Sequence, residues 1–140
     1  MNIGDLLPRH ARYRRDHTAL IVGDQRLTYR QLNAYVNRLS NALLAAGLKK
    51  GDKFTTVLPN CLELMASYWA AAKTGVVIVP ASPLLQAGGL ATLLADSDTS
   101  LVIGEASFAD SFDTIRDQLP GIARDRYILV GKGADRRPGF

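Results

Sequence analysis

The stretch "AAKTGVVIVPASPL", residues 71–84, changes character at its middle. Its first half is typical of the end of a helix, and Gly75 can supply the left-handed residue that closes one. The run 76–79 is then continuously β-branched, as in a strand buried on both faces. Pro80 and Pro83 follow at once, and proline is poorly tolerated inside a central strand. The pattern therefore predicts a helix, a central parallel strand and a stiff loop in direct succession.

Helices and strands alternate on both sides of this stretch. An antiparallel hairpin is predicted around Gly23-Asp24, where a glycine-first two-residue loop suits a type II′ turn. The predicted helices are 3–15, 28–47, 61–74, 84–96 and 107–119, and the predicted strands are 53–59, 76–79, 100–104 and 126–131. Strands that are continuous apolar runs between helices imply a mostly parallel sheet with helices on both faces. The fold class is α/β, with a small β-hairpin in front.

Two helices carry start signals. Thr28 and Gln31 form a T-x-x-Q capping box, followed by an apolar stripe at steps of three and four. This stripe predicts that Arg30, Asn33, Asn37 and Asn41 face solvent. In the next helix Asn60 is the expected cap, with Glu63 three residues later. That helix contains Leu64, Met65, Tyr68 and Trp69 and is apolar almost all round, so we expect it to be largely buried.

Composition limits the class of protein. The chain has 140 residues, 47% hydrophobic and 21% charged, which suits one soluble globular domain. It has no apolar run long enough to cross a bilayer and no signal-peptide stretch at its start. A lone cysteine, Cys61, excludes an internal disulfide framework and favours a cytoplasmic location. The net charge is +4, and the basic run 9–15 is interpreted as a solvated helix face without nucleic-acid binding.

The sequence carries no reactive centre that spacing alone reveals. "GKGADR" (131–136) lacks the third glycine of a dinucleotide fingerprint, and there is no G-x-x-x-x-G-K-[ST] phosphate loop. His10 and His17 lack metal-ligand spacing, and Cys61 has no evident base beside it. We therefore assign no catalytic, cofactor-binding or metal-binding residue to this chain.

Three segments nevertheless carry a resemblance. "LTYRQL" (27–32) is similar to an L-T-Y-x-E-L segment, and "GLKKGDKFTTVLPNCLEL" (47–64) is similar to G-[VI]-x-x-G-D-x-V-x-x-x-x-x-N-x-x-E. The stretch 71–84 is similar to A-x-x-x-[AT]-G-A-V-x-V-P-x-[NS]-P. In this order and spacing the three segments resemble those of the AMP-dependent synthetases and ligases. Gly88-Gly89 departs from the family pattern, where charged helix formers are usual.

The resemblance implies an adenylate-forming reaction. Such enzymes use ATP and Mg²⁺ to convert a carboxylic acid to an acyl-adenylate, and the CoA ligases transfer the acyl group to coenzyme A. The family's phosphate loop, its adenine- and ribose-binding motifs and its C-terminal lysine are not found in this sequence. We therefore expect residues 1–140 to be the N-terminal segment of an AMP-binding domain, inactive alone and binding no cofactor. Pro80, Ser82 and Pro83 match the third segment and are given a structural role.

The leading hypothesis is the N-terminal segment of an acyl-CoA ligase for fatty or aryl acids. The alternatives are a segment of an amino-acid adenylation domain that loads a carrier protein, and a non-catalytic binding or interaction module on the same fold. The downstream reading frame distinguishes them, because a phosphate loop encoded there favours the enzyme. The apolar helix 61–74 and an open sheet edge also lead us to expect that the chain associates with itself, as a dimer.

Overall fold

The computed structural model describes residues 2–134, which form two compact units. Within this range, a helical unit takes residues 2–51 and 61–77, and a sheet unit takes residues 52–60 and 78–134. Residues 135–140, which include the last two residues of "GKGADR", lie outside the described residues.

The helical unit consists of three helices and the hairpin. A 3₁₀ turn, Ile3–Asp5, leads into α1, and the order is then α1 (Leu6–Tyr13), β1 (Thr18–Val22), β2 (Gln25–Thr28), α2 (Tyr29–Ala45) and α3 (Leu62–Thr74). The two strands are antiparallel, with Val22 opposite Gln25. Of the two loop residues only Gly23 has a positive φ, 56°, as a type II′ turn requires. Helix α2 packs on α1 and on α3.

The capping box of α2 is present as predicted. Thr28 Oγ1 accepts a hydrogen bond from Gln31 N at 3.2 Å, and Gln31 Oε1 accepts one from Thr28 N at 2.9 Å. Gly47, with φ 89°, follows the end of the helix. The apolar stripe is buried at Leu32, Val36 and Leu43. Short-range signals therefore fix both ends and the inner face of this helix.

Replacing Thr28 by Ala is expected to lower the free energy of unfolding by about 1 kcal/mol, because the amide of Gln31 loses its acceptor. Arg30→Ala is the control, since that side chain is exposed in the first turn of the same helix and its loss should change stability by less than about 0.5 kcal/mol. Urea unfolding midpoints measure both. Equal shifts for the two variants would contradict the capping role.

The sheet unit carries four strands and two helices. They are β3 (Lys53–Val57), β4 (Val77–Ala81), α4 (Ala87–Asp96), β5 (Thr99–Glu105), α5 (Ala109–Ile115) and β6 (Tyr127–Val130). The strand order is β4-β3-β5-β6 in a parallel sheet flanked by helices. Val57 lies opposite Gly104, and Gly104 lies opposite Leu129. The predicted α/β fold class is confirmed.

Helices α4 and α5 share one core with the sheet. Leu90 and Leu94 of α4 and Phe112 of α5 are buried in one cluster with Val102 and Tyr127 from the strands. At the start of β5, buried hydroxyl groups also join the strands: Thr55 Oγ1 and Thr99 Oγ1 are 2.6 Å apart, and Ser97 Oγ is 2.7 Å from Thr99 Oγ1. This unit therefore has an apolar core with a small hydroxyl cluster at one end, although the hydroxyls of Thr56 and Tyr127 are buried without a hydrogen-bond partner among the described residues.

The prediction that the run 76–79 is a central strand is wrong. Strand β4 begins at Val77, includes Pro80 and lies at an edge of the sheet, whereas β3 and β5 are central. Two of its side chains are correspondingly exposed, Val77 (43%) and Pro80, whereas Ala81 is buried. Proline has no N–H to donate, and an edge strand tolerates it because one side of its backbone has no ladder partner.

Two helix starts also differ from the prediction. Cys61, not Asn60, is the N-cap residue of α3, and its side chain makes no capping hydrogen bond. Helix α4 begins at Ala87, three residues later than predicted, and contains Gly88 and Gly89. Glycine destabilises a helix interior by about 1 kcal/mol relative to alanine, which is consistent with a delayed start. The C-terminal glycine prediction for α3 is confirmed, since Gly75 is left-handed with φ 76°.

Candidate functional site

The carboxyl edge of the sheet contains a topological switch point between β3 and β5. The chain leaves β3 toward β4 on one side, and it leaves β5 toward β6 on the other. In open α/β sheets ligands bind outside the carboxyl ends of the strands where the connections diverge in this way. The segments that border this crevice in the sheet unit are 58–60 after β3 and 105–107 at the end of β5.

The crevice offers a small set of polar groups. Glu105 ends β5, and Ser107 Oγ donates a hydrogen bond to its Oε2 at 3.0 Å. Asn60 is exposed on the β3 side. After β4, Ser82 Oγ accepts a hydrogen bond from Leu84 N at 3.2 Å, so the proline-bounded loop is also held by its own serine. The segments that follow these strands therefore carry one carboxylate, hydroxyl groups and a carboxamide, of which only Glu105 and Ser107 are in hydrogen-bond contact.

These residues do not fit nucleotide phosphates or a metal ion by themselves. Phosphates are bound by cationic side chains and by clustered backbone N–H groups, often at a helix N-terminus. No cationic side chain occurs in 58–60, 82–86 or 105–107, and Glu105 would repel an anion. Within residues 2–134 no three metal-ligating side chains cluster. This edge can therefore position polar parts of a ligand, but it does not hold a triphosphate.

Lys73 has an unusual setting in the helical unit. Its Nζ donates hydrogen bonds to Asn33 Oδ1 and to Asn37 Oδ1, both at 2.6 Å. Burial lowers the pKa of this amine, because desolvation disfavours the ammonium form. Asn37 is exposed as predicted, whereas Asn33 is only partly exposed, and both also accept a hydrogen bond from Lys73. They stand one turn apart on α2, where together they bind the last turn of α3.

Other groups considered in the sequence have packing roles. The His10 ring lies 5.0 Å from the ring of Tyr29. Burial raises the pKa of the Cys61 thiol, which opposes a nucleophilic role. Sequence reasoning did not single out Glu105, although "SLVIG" is followed directly by this residue. An ionisable side chain at the end of a buried apolar run is the signal that could have identified it.

Residues 7–136 match the sequence pattern of the protein family described as "AMP-binding enzyme". The chain belongs to this family. A long-chain-fatty-acid–CoA ligase, FadD13, from Mycobacterium tuberculosis is 39% identical over 104 residues, covering 73% of this chain and 21% of that protein. The chain thus spans about a fifth of the length of this AMP-binding relative.

Solved structures of AMP-binding ligases share the fold. The fatty acyl CoA synthetase of Mycobacterium tuberculosis superposes with a TM-score of 0.85 at 34% identity, covering 96% of this chain and 28% of that one. The anthranilate CoA ligase AuaEII superposes with a TM-score of 0.88 over 100% of this chain and 29% of its own, at 24% identity, a likeness of fold alone. None of the helices within residues 2–134 has the length and apolar character needed to cross a bilayer.

Proposed function

We propose that this chain is the N-terminal segment of the AMP-binding domain of an ATP-dependent acyl-CoA ligase for fatty or aryl acids. The observation that carries the proposal is the family match over residues 7–136, together with 39% identity to a long-chain-fatty-acid–CoA ligase. Family membership implies the use of ATP and coenzyme A in general. The use of Mg²⁺ and a cytoplasmic location belong to the proposal, the latter because Cys61 is the lone cysteine.

The reaction has two displacements. The acid's carboxylate displaces pyrophosphate from ATP to form an acyl-adenylate, and the thiol of coenzyme A then displaces AMP from the acyl carbon. Glu105, Ser107 and Asn60 can orient neutral or donor groups at the crevice, but they cannot compensate phosphate charge. The role of this segment is therefore structural: it forms the carboxyl edge of the sheet. The groups that bind and stabilise the phosphates lie outside residues 2–134.

Pyrophosphate release and thioester formation test this function. The protein encoded by the complete reading frame should release pyrophosphate and form a CoA thioester with a long-chain fatty acid or an aryl acid. The 140-residue chain alone should show neither reaction and no tight ATP binding. Turnover by the 140-residue chain would contradict the assignment as a segment. Amino-acid-dependent pyrophosphate release without thioester formation to CoA would favour an adenylation domain instead.

Self-association of the 140-residue chain is part of the proposal. Met65 and Tyr68 of the nearly all-apolar α3 are 39% and 43% exposed, although their helix was expected to be largely buried. Ile3, in the same helical unit, is 68% exposed. Large exposed apolar side chains on one unit favour association, because soluble monomers rarely leave contiguous apolar patches open.

Light scattering over a concentration series should show a dimer. Tyr68→Lys should shift the equilibrium toward the monomer, because it places a charge within the contact. Leu84→Lys is the matched control: it adds the same charge at a side chain that is 89% exposed in the sheet unit, and it should leave the equilibrium unchanged. A monomer at every concentration would contradict self-association and would favour a self-sufficient module.

A further inference from the structure

A groove of about 350 Å³ crosses the helical unit between β2, α2 and the first residue of α3. Leu27 and Leu62 form its apolar floor and are 8% and 7% exposed. Tyr35 of α2 forms one wall and is half-buried. Arg26 and Arg38 border the groove from β2 and α2. Its volume lies within the range of about 300–1,000 Å³ that is usual for small-molecule sites.

The charged groups of this groove are all cationic. No acidic side chain lines it, and neither Arg26 nor Arg38 has an ion-pair partner within residues 2–134. Glu63 acts electrostatically on Tyr35 from α3, yet it forms no salt bridge with either arginine. Two guanidinium groups beside one groove without a carboxylate leave charge that an anionic ligand can compensate.

Two of the three donor side chains, Arg38 and Gln31, are restricted in position, although both arginines are exposed. The Arg38 guanidinium lies 5.5 Å from the centroid of the Tyr35 ring, a cation–π arrangement that restricts its position. Gln31 Oε1 accepts the capping hydrogen bond from Thr28 N at 2.9 Å, so the side-chain NH₂ of this residue is free to donate. Preorganised donors lose less entropy when a ligand binds, which favours recognition by the groove as it stands.

We propose that this groove binds a small carboxylate with an aromatic or alkyl body. The carboxylate accepts hydrogen bonds from Arg26, Arg38 and the Gln31 amide, and the body lies on Leu27 and Leu62. The ligand class overlaps the acids of the proposed reaction, but the groove lies in the helical unit and not at the crevice of the sheet unit. The groove is therefore a second, non-catalytic site for a carboxylic acid, and binding there does not require the ligase reaction.

Titration of benzoate into the ¹⁵N-labelled 140-residue chain tests this site directly, without ATP. The expected result is saturable shifts confined to the amides of 25–27, 31–38 and 62. Arg38→Gln and Arg26→Gln should each weaken benzoate binding about tenfold, as the loss of one charge-assisted hydrogen bond at a partly exposed site predicts. Arg30→Gln removes the same charge from an exposed position of α2 outside the groove, and it should leave the affinity unchanged within about twofold.

Two further ligands test separately whether the groove needs the negative charge and the apolar body of the ligand. Benzamide has the same shape without the charge, and inorganic phosphate has charge without an apolar body; both should bind at least about tenfold more weakly than benzoate. Benzamide or phosphate binding as tightly as benzoate would overturn the stated ligand class. Absent shifts, or equal weakening by Arg30→Gln, would overturn the site. Failure of the ligase assay leaves this binding result unaffected, so the two proposals can fail separately.

Discussion

Replacing Phe112 by Ala should lower the free energy of unfolding by about 3–5 kcal/mol, the usual loss for a fully buried aromatic residue. Phe112 is 0% exposed, and its ring centroid lies 5.7 Å from that of Tyr127 and 6.4 Å from that of Phe108. The ring fills the space where α5 packs on the sheet. Its removal therefore loses apolar burial and leaves a cavity among side chains that cannot collapse completely.

Urea unfolding followed by far-ultraviolet circular dichroism measures this loss. Leu84→Ala is the control, because Leu84 is 89% exposed and its truncation should change stability by less than about 0.5 kcal/mol. A loss below about 1 kcal/mol for Phe112→Ala would show that α5 is not part of the cooperative core.

Gly104→Ala is the second large effect, with an expected loss of about 1–3 kcal/mol from overpacking. A Cβ at this position of β5 would stand 2.5 Å from Cζ of Phe112, whereas carbon atoms in contact are about 3.5–4.0 Å apart. The ring or the strand must therefore move. Gly88→Ala is the matched control, because a Cβ added there would meet no atom within 4 Å other than those of its neighbours in the chain and of its own helix backbone. That change should instead stabilise α4 by about 0.5–1 kcal/mol.

The double variant separates the clash from other effects of the Gly104 substitution. When Phe112 is already Ala, the added methyl group enters the vacated space, so Gly104→Ala should then be neutral or stabilising. Additive losses in the double variant would show that the strand itself, and not the ring, rejects a Cβ at this position.

Features that depend on neighbouring residues could be predicted from the sequence. The reciprocal bonds of Thr28 and Gln31, the type II′ turn at Gly23 and the left-handed Gly75 each depend on four or five consecutive residues. The helix–strand alternation is also local, because it follows from the period of the apolar residues. The fold class therefore followed from short-range patterns alone.

Features that depend on distant residues could not be predicted in the same way. Strand order is one of them: a β-branched run is compatible with a central or an edge position, and only pairing decides which. The partners of Lys73 stand 36 and 40 residues away on another helix. The groove likewise joins Arg26, Arg38 and Leu62 from three elements. Sequence spacing alone does not predict such contacts between distant residues unless they belong to a known motif.

The two edges of the sheet differ in a way that limits how copies of the chain can join. Pro80 removes one N–H donor from β4, and proline on an edge strand makes that edge a poorer template for a further strand. Strand β6, the other edge among the described strands, has no proline. When only one edge of a sheet can accept another strand, two copies can pair through that edge about a two-fold axis. No such edge then remains for a third copy. If the proposed association uses the sheet instead of the apolar face of α3, Pro80 therefore favours a closed pair over a growing fibre.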